Sequence, residues 1–450
     1  MTSQSFAHYS NMRVPRYTSY PTAPHFTPEV GAETYSRWLQ AVDPDEPVSL
    51  YLHVPYCRQM CWYCGCNMKL AARPEPVTQY TETLRREIGL VAERLPGRTS
   101  ISHLHWGGGT PTAMTPDDLA RCMERVEARF DIASGADLAI ECDPRTLEPE
   151  MIARIGSLGF TRVSFGVQEF DLRVQTAINR VQPPDMVARA VEGFRGAGVS
   201  GINFDLIYGL PHQTVGTLLE TIRICLRMRP ERIALFGYAH VPWVAKNQRM
   251  IASDSLPDAG ARMAQSTAAS HALTDAGYVA IGLDHFALPD DDLAEALRSG
   301  KLRRNFQGYT TDTAQTLLGV GTTSIGKLAA GYIQNIADTR SWARAVNDKT
   351  LPVAKGRALS GQDALRGRVI EALMCQGQAD LGAFGRSHGF GERWYASAAG
   401  ALADLTREGL ITFEKGRLTL TETGIPLVRV VAATFDEYLK CNQAKHAVAV

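Results

Sequence analysis

The sequence lacks three features: a long apolar run, a charged-then-apolar leader at its N-terminus, and an excess of charge of either sign. Lys+Arg and Asp+Glu each total 47, so the formal net charge is zero. Broad binding to nucleic acid or to an anionic membrane needs a basic surplus, and a transmembrane helix needs about 18 consecutive apolar residues. These absences predict a cytoplasmic protein with neither nucleic acid nor membrane as a partner.

Cysteine is also scarce, with nine residues in 450. That number argues against a secreted, disulfide-rich scaffold. Five of the nine are scattered singly, and we expect them to be small apolar fillers. They are Cys122, Cys142, Cys225, Cys375 and Cys441.

The other four cysteines are crowded into one loop. Cys57, Cys61 and Cys64 have the spacing C-x3-C-x2-C, and Cys66 follows two residues later. Cysteine thiolates normally hold an iron–sulfur cluster in sets of four, so a set of three predicts a 4Fe-4S cluster with one open iron. Zinc is the alternative that the spacing leaves open, although structural zinc usually takes two separated pairs of ligands.

From about residue 48, apolar runs typical of strands alternate with amphipathic stretches. The predicted strands are 48–54, 102–106, 138–142, 162–167, 201–207, 232–238 and 278–283. The predicted helices between them include 78–95, 116–130, 185–196 and 213–228. Such alternation predicts an α/β fold with a parallel sheet, either a closed or partial βα barrel or an open doubly wound sheet.

The residues with chemical potential follow the carboxyl ends of these strands, where parallel βα folds place their sites. The cysteines follow the first strand, and Gly107-Gly108-Gly109-Thr110 follows the second. Glu141 and Gln168 end the third and fourth. We expect all of them at one mouth, with the glycines allowing close backbone approach to a cofactor.

Several other polar residues are site candidates, each with a plain structural alternative. Tyr63 could face an adenine or simply pack in its loop. Glu141, Arg180 and Asp205 could bind ammonium, carboxylate or ribose hydroxyls, or form ordinary ion pairs. Asp205 lies in an apolar run, where an unpaired carboxylate is costly. The lone histidines His53 and His240 flank the mouth and are poor evidence for a ligand.

Both ends of the chain depart from the βα rhythm. The first 45 or so residues lack clear periodicity, and their composition favours a disordered tail over a packed arm. After about residue 350, helical patterns at 363–375 and 398–408 precede a predicted hairpin at 411–413 and 418–420. This arrangement resembles a winged helix. The neutral charge favours a packing role for it over nucleic-acid recognition.

With these motifs in place, the chain resembles a radical S-adenosylmethionine enzyme, and within that group the oxygen-independent coproporphyrinogen III oxidases (coproporphyrinogen dehydrogenases). The superfamily features are CRQMCWYC at 57–64, GGGTPT at 107–112, IECDP at 140–144 and NFDLIYGLP at 203–211. The narrower ones are PRYTSYPTAP at 15–24, CGC at 64–66, VSFGVQEF at 163–170, GYAHVP at 237–242, GLDHFALPDD at 282–291 and RNFQGYTT at 304–311.

The resemblance implies a fold and a set of cofactors. It implies an N-terminal arm at 1–46 over the active site, a partial (three-quarter) βα barrel at 47–345 and a mostly helical domain at 346–450. One 4Fe-4S cluster would be bound by Cys57, Cys61 and Cys64, with Cys66 not a ligand. Two S-adenosylmethionine molecules are implied. Tyr51, Tyr63, Gly108, Glu141 and Ile325 would surround one of them. Gly109, Thr110, Gln168, Arg180, Asp205 and Ala239 would surround the other.

The resemblance also implies the reaction. Two propionates of coproporphyrinogen III would lose carbon dioxide and become vinyl groups, giving protoporphyrinogen IX in haem biosynthesis. No side chain is then a catalytic acid or base. A flavodoxin- or ferredoxin-type donor would reduce the cluster, and the protein would be a monomer. Substrate carboxylates suggest basic partners, for which the candidates are Arg13, Arg16, Arg303 and Arg304. A non-catalytic haem-binding relative and a radical enzyme with another substrate are the alternatives.

Overall fold

The computed structural model describes residues 8, 9, 12–391 and 393–439. Their contacts divide the chain into two units, each assembled from separate segments. The barrel unit comprises Phe26–Ala276 and Ala314–Ala358. The terminal unit comprises the described residues of 1–25, 277–313 and 359–450. The boundaries that the resemblance implies, at 46/47 and 345/346, stay a prediction.

The barrel unit contains a series of parallel strands, each paired with the next along the chain. Their order in the sheet is linear and does not return to its start, so they form an open, partial βα barrel of the predicted α/β class. The parallel strands are Val48–Val54, Ser100–Gly108, Asp131–Cys142, Arg162–Gln168, Gly201–Tyr208 and Arg232–Gly237.

An antiparallel extension continues the sheet beyond the first strand. Thr316–Val320 pairs in parallel with Val48–Val54, and three antiparallel strands follow it. These three strands are Ile325–Leu328, Gly331–Asn335 and Val353–Ala358. A short parallel pair, Tyr56–Cys57 with Lys69–Leu70, frames the cysteine loop.

Helices follow the strands, as the sequence predicts. The α-helices of the barrel unit are Ala32–Gln40, Glu75–Ala92, Pro116–Glu127, Pro149–Ser157, Leu172–Ala177, Pro184–Gly196, Val215–Met228, Ala259–Asp275 and Thr339–Asn347. Its 3₁₀ turns are Pro111–Ala113, Pro144–Thr146, Lys246–Met250 and Ser253–Ser255. Thr214 caps Val215–Met228 by accepting the amide hydrogen of Thr217, which satisfies a donor that the first helical turn leaves free.

Alternation along the strands separates a packing face from a site face. Leu52, Trp106, Phe165 and Phe204 are fully buried. The residues beside them in sequence point to the opposite face, because successive strand side chains alternate. Those intervening positions carry polar groups at the carboxyl ends of the strands, among them His53, His105 and Glu141.

The terminal unit has its own hydrophobic core. Its α-helices are Asp292–Arg298, Asp363–Gln376, Leu381–Ser387, Ala399–Arg407 and Val428–Ala433, and its 3₁₀ turns are Ala23–His25, Ala396–Ala398 and Ile425–Leu427. Its strands are Val279–Ile281, His285–Ala287, Arg303–Asn305, Gly308–Thr310, Gln378–Asp380, Ile411–Glu414 and Arg417–Leu420. The predicted C-terminal hairpin is confirmed, since Ile411–Glu414 and Arg417–Leu420 pair antiparallel.

The expectation of a disordered N-terminal tail is wrong for the described residues 12–45. Val14, Tyr17 and Tyr20 are buried in the core of the terminal unit. Residues 32–40 form a helix that buries Tyr35 and Leu39, one turn apart on a single face. Composition missed this packing because the buried apolar residues of the segment are sparse and have no regular spacing.

A second correction concerns the last predicted strand, 278–283. The observed strand, Val279–Ile281, pairs antiparallel with His285–Ala287 as a hairpin of the terminal unit. It is therefore not a further repeat of the parallel βα series. An apolar run of this length indicates a strand but not the direction of its partner.

The scattered cysteines and the membrane expectation can be checked in the same residues. Cys122, Cys142, Cys225 and Cys375 are buried, as predicted for apolar fillers, whereas Cys441 lies outside the described residues. No helix among the residues described is both long and apolar enough to cross a bilayer.

Candidate functional site

The cysteine loop follows the first parallel strand and is held by side-chain bonds to its backbone. Cys61 is buried, Cys57 and Cys64 are half-buried and Cys66 is exposed. Asn247 Nδ2 donates to the carbonyl oxygens of Cys61 at 3.1 Å and Cys64 at 2.8 Å. These bonds hold Cys61 and Cys64 in place through Asn247.

Two buried guanidinium groups donate to the sulfur of Cys61. Arg145 Nη2 lies 3.2 Å and Arg180 Nη1 3.4 Å from Cys61 Sγ. Asp143 accepts from both arginines, at 2.6 Å from Arg145 and 3.3 Å from Arg180. Burial alone would raise the pKa of Asp143, but Arg180 and Arg145 outweigh it and hold that pKa below its ordinary value. The charges near Cys61 therefore sum to one net positive.

The thiols of the loop differ in how easily they ionise. Burial raises the pKa of Cys57 to about 12, and the neighbouring cysteines add to that rise. Hydrogen bonding from Cys66 lowers the pKa of Cys64 to about 7. The Cys66 amide lies 3.4 Å from Cys64 Sγ. Cys66 therefore supports its neighbour's sulfur from the exposed side of the loop.

A side chain is disfavoured at each position of the cluster Gly107-Gly108-Gly109, at two of them by close neighbours and at the third by the backbone conformation. A Cβ on Gly107 would lie 2.8 Å from Glu141 Oε1, and one on Gly109 would lie 2.8 Å from Tyr56 O and 3.0 Å from Cys57 Sγ. Gly108 has φ of +121°, a conformation that side chains disfavour. Thr110 is tied to the same loop through its amide, which donates to Tyr56 O at 2.8 Å.

Glu141 lies at the centre of a polar group on the first three strands. It accepts from the Gly108 amide at 3.2 Å, and His105 Nε2 lies 3.3 Å from its Oε1. Tyr51 stacks on His105, and its hydroxyl lies 3.0 Å from His53 Nδ1. Burial lowers the pKa of His53 to about 4, so His53 is neutral near pH 7.

Gln168, Arg180 and Asp205 form a second polar group around Gly166. A Cβ on Gly166 would lie 2.8 Å from Gln168 Nε2 and 3.0 Å from Arg180 Nη2. Gln168 has φ of +65°, uncommon for a residue with a side chain. Asp205 lies opposite Gly166 in the next strand and accepts from Ser164 Oγ at 3.0 Å.

The remaining predicted residues also lie at this edge of the sheet. Gln248 Nε2 joins Tyr63 and Ala239 by donating to the carbonyl oxygens of both, at 2.8 and 3.2 Å. Ile325 follows the turn after Thr316–Val320. Gly319 lies opposite Tyr51 in the parallel pairing, and a Cβ on Gly319 would lie 2.7 Å from Ile325 O.

The structure thus places every predicted cofactor residue at the mouth of the barrel unit. Tyr51, Gly108 and Glu141 lie together on the first three parallel strands, while Gln168, Arg180 and Asp205 lie around Gly166. Their division between two S-adenosylmethionine molecules stays a prediction. The proposed substrate arginines lie in the terminal unit.

Those arginines differ in their surroundings. Arg13 and Arg16 are exposed. Arg303 Nε pairs with Glu371 at 3.0 Å. The side chain of Arg304 is 5% exposed, and its guanidinium lies 4.4 Å from the centre of the Tyr309 ring. Their role toward substrate stays a prediction.

Comparison with known proteins agrees with this geometry. Residues 51–225 match the Radical SAM superfamily and residues 359–427 match the HemN C-terminal domain. The chain is 47% identical to the oxygen-independent coproporphyrinogen III oxidase of Bradyrhizobium diazoefficiens, over 98% of each chain. The chain belongs to the oxygen-independent coproporphyrinogen III oxidases. The Cereibacter sphaeroides enzyme is 41% identical, over 95% of this chain and 94% of its own.

A solved member of the oxygen-independent coproporphyrinogen III oxidases has the same fold. The Escherichia coli enzyme HemN, described as a radical SAM enzyme, superposes with a TM-score of 0.90. It is 33% identical, and the match covers 95% of this chain and 100% of the solved chain. The α/β fold with its partial barrel is thereby confirmed over 95% of the chain.

Membership of the radical SAM superfamily implies a 4Fe-4S cluster and S-adenosylmethionine, and the donor set here fits both. Cys57, Cys61 and Cys64 offer three sulfurs, and two guanidinium groups donate hydrogen bonds to the sulfur of Cys61. Among the residues described, no three His, Cys, Asp or Glu side chains have the geometry of a site for a single metal ion. Glu141, bonded to the Gly108 amide beside the cysteines, offers a carboxylate suited to the ammonium or hydroxyl groups of S-adenosylmethionine.

Sequence reasoning missed Arg145, Asn247 and Gln248. Arg145 follows the strand-end motif IECDP directly, so its position after a strand was a usable signal. Asn247 and Gln248 lie in the 3₁₀ turn Lys246–Met250, where no periodicity marks them. Their contribution is visible only in the bonds that they make to the backbone of the cysteine loop.

Proposed function

We propose that this protein decarboxylates two propionate side chains of coproporphyrinogen III to vinyl groups without oxygen, giving protoporphyrinogen IX. The observation that carries the proposal is the convergence of three motif cysteines, the glycine cluster and Glu141 at one barrel mouth, in a chain whose curated relatives carry that enzyme's name. When bound, the cluster and S-adenosylmethionine supply the one-electron reduction and the carbon radical that begins the reaction.

The chain's own residues bind, orient and shield. Cys57, Cys61 and Cys64 hold the cluster and leave one iron without a protein ligand, while Cys66 is not a ligand. Glu141 accepts hydrogen bonds at the mouth and is suited to an ammonium or hydroxyl group of the cofactor. No described side chain needs to act as an acid or base in this proposal.

Two S-adenosylmethionine molecules, a monomeric state, a cytoplasmic location and a flavodoxin- or ferredoxin-type donor belong to the proposal. The two polar groups at the mouth support two cofactor positions. Tyr51, Gly108 and Glu141, with Tyr63 and Ile325, serve one. Gly109, Thr110, Gln168, Arg180, Asp205 and Ala239 serve the other.

The test is an anaerobic assay of reconstituted protein with dithionite, S-adenosylmethionine and coproporphyrinogen III. We expect 5′-deoxyadenosine and a vinyl-bearing porphyrinogen from the wild type, and neither from Cys61→Ala. Cys66→Ala is the matched control, and it should retain its iron. Deoxyadenosine without a vinyl product would indicate another substrate. Haem binding with neither product would indicate a non-catalytic relative.

A further inference from the structure

Cys61 differs from Cys57 and Cys64 in the charge placed beside it. Arg145 donates to its sulfur at 3.2 Å, and Arg180 does so at 3.4 Å. The side chains of Arg145, Arg180 and Asp143 are only 4%, 6% and 7% exposed. Charges buried to this extent are little screened by solvent or salt.

Several hydrogen bonds hold each of these charged groups in position. Arg145 Nε donates to both carboxylate oxygens of Asp143, at 3.0 and 3.2 Å, and its Nη1 donates to Asn179 O at 3.4 Å. Arg180 Nε donates to Gly166 O at 3.0 Å. Arg180 belongs to the residues proposed to surround S-adenosylmethionine, whereas Arg145 does not.

We infer that Arg145 sets the reduction potential of the cluster held by Cys61, through the net positive charge that it, Arg180 and Asp143 place against that cysteine sulfur. This inference rests on the proposed function. Adding one electron makes a cluster more negative, so a nearby positive charge stabilises the reduced form and raises the potential. Hydrogen bonds to the ligand sulfur act in the same direction.

A charge series separates this effect from simple bracing of the loop. Arg145→Gln removes one positive charge and leaves Arg180 and Asp143 balanced. Asp143→Asn removes the negative charge and leaves two positive charges. Arg145→Lys keeps the positive charge but loses the contact that two guanidinium nitrogens of Arg145 make with the Asp143 carboxylate. If Arg145 and Asp143 only held the cysteine loop in place, all three variants would retain less cluster. Their reduction potentials would then not follow the order of the charges.

The experiment is an anaerobic dithionite titration of each reconstituted variant, followed by electron paramagnetic resonance, with iron and sulfide content measured in parallel. One electron passes from dithionite to the oxidised cluster, and no covalent bond changes. At the wild-type midpoint we expect the ratio of reduced to oxidised cluster to fall about tenfold in Arg145→Gln, which is about 59 mV for one electron.

The other variants give the opposite sign and the controls. The ratio should rise in Asp143→Asn and stay near the wild type in Arg145→Lys. Arg223→Gln should match the wild type, because Arg223 pairs with Glu220 on an exposed helix surface. If Arg145→Gln does not fold, the lysine and asparagine variants still test the order.

Two failures are distinguishable. Equal potentials across the series, or shifts of the same sign in Arg145→Gln and Asp143→Asn, would overturn the inference while the wild type still forms deoxyadenosine. A wild type that takes up no 4Fe-4S cluster would overturn the proposed function, and the inference with it.

Discussion

At the residue scale, the glycine cluster shows how three neighbouring positions exclude side chains for different reasons. Gly107 makes room for Glu141, Gly108 needs a positive φ, and Gly109 makes room for Cys57 and the Tyr56 carbonyl. Methyl groups on Gly107 and Gly109 would meet Glu141 and Cys57, which belong to the proposed site. Substitutions here should damage cofactor binding before they damage the fold.

Gly109→Ala tests that expectation. The new Cβ would lie 3.0 Å from Cys57 Sγ and 2.8 Å from Tyr56 O, so one ligand sulfur must move. We expect reconstituted iron to fall at least severalfold, measured by colorimetric iron assay and by absorbance of the cluster. Gly196→Ala is the control, since nothing lies within 4 Å of the position of its added Cβ. Equal iron in both variants contradicts the steric argument.

Glu141→Gln tests the carboxylate itself. Its neighbours His105 and the Gly108 amide remain, but the charge that would attract an ammonium group is lost. Hydrogen bonds to a charged group contribute about 1.5–3 kcal/mol, so we expect S-adenosylmethionine affinity to fall about tenfold or more with unchanged iron content. Equilibrium dialysis under anaerobic conditions measures it. Glu150→Gln, an exposed glutamate, should leave the affinity as it was.

Residues at strand ends could be predicted because position alone identifies them. Cys57, Glu141 and Gln168 stand where the apolar runs stop, and all three reach the mouth. Asn247 and Gln248 could not be predicted, because their function is to bond distant backbone carbonyls. No local pattern encodes such a partner.

At the scale of elements, the predicted strand starts agree well for the parallel series, where buried β-type residues form continuous runs. The third strand is the exception, since it begins at Asp131 and was predicted from 138. Its first part is polar and partly exposed, so hydrophobicity does not mark it. The antiparallel extension was also missed, because its strands are short and interrupted by glycine.

Glu87, a buried carboxylate on the helix Glu75–Ala92, bonds to the antiparallel extension through Asn335 and to the helix Thr339–Asn347 through Trp342. Its pKa lies in a pH range where the folded protein can be studied. Glu87 accepts from the Gly321 amide and from Trp342 Nε1, both at 2.8 Å, and from Asn335. Burial raises the pKa of Glu87 to about 7. From about pH 4.5 to 7 the folded protein therefore keeps a proton that the unfolded chain has released, so stability falls as pH rises.

Glu87→Gln should remove that dependence. The full effect of the shift is about 3 kcal/mol, so the urea midpoint of the wild type should fall between pH 5 and pH 8 relative to that of Glu87→Gln. Glu82→Gln, an exposed glutamate on the same helix, serves as the control and should follow the wild type. Parallel curves for wild type and Glu87→Gln would show that Glu87 titrates normally.

At the scale of the whole molecule, the terminal unit is built from the two ends of the chain and an internal segment. Arg429 donates to the carbonyl oxygens of Val14 and Pro15, at 2.6 and 3.1 Å. Tyr17 donates to Asp436 at 3.0 Å. Sequence patterns are local, so they cannot show that Val14, Tyr17 and Tyr20 complete a core whose other residues lie between Leu365 and Phe435, and the prediction of a tail is wrong for that reason.

The N-terminal segment should therefore stabilise the C-terminal helix Val428–Ala433. Tyr17→Phe tests this by removing a single oxygen atom. Removing the hydroxyl leaves the buried Asp436 carboxylate short of a donor, at a cost of about 1–3 kcal/mol. Hydrogen exchange should quicken in Val428–Ala433 and not in the barrel strand Val48–Val54, because the perturbed contact lies within the terminal unit. Arg13→Gln, exposed in the same segment, should change neither. Unaltered exchange in Tyr17→Phe would mean that the C-terminal helices are stable without this bond.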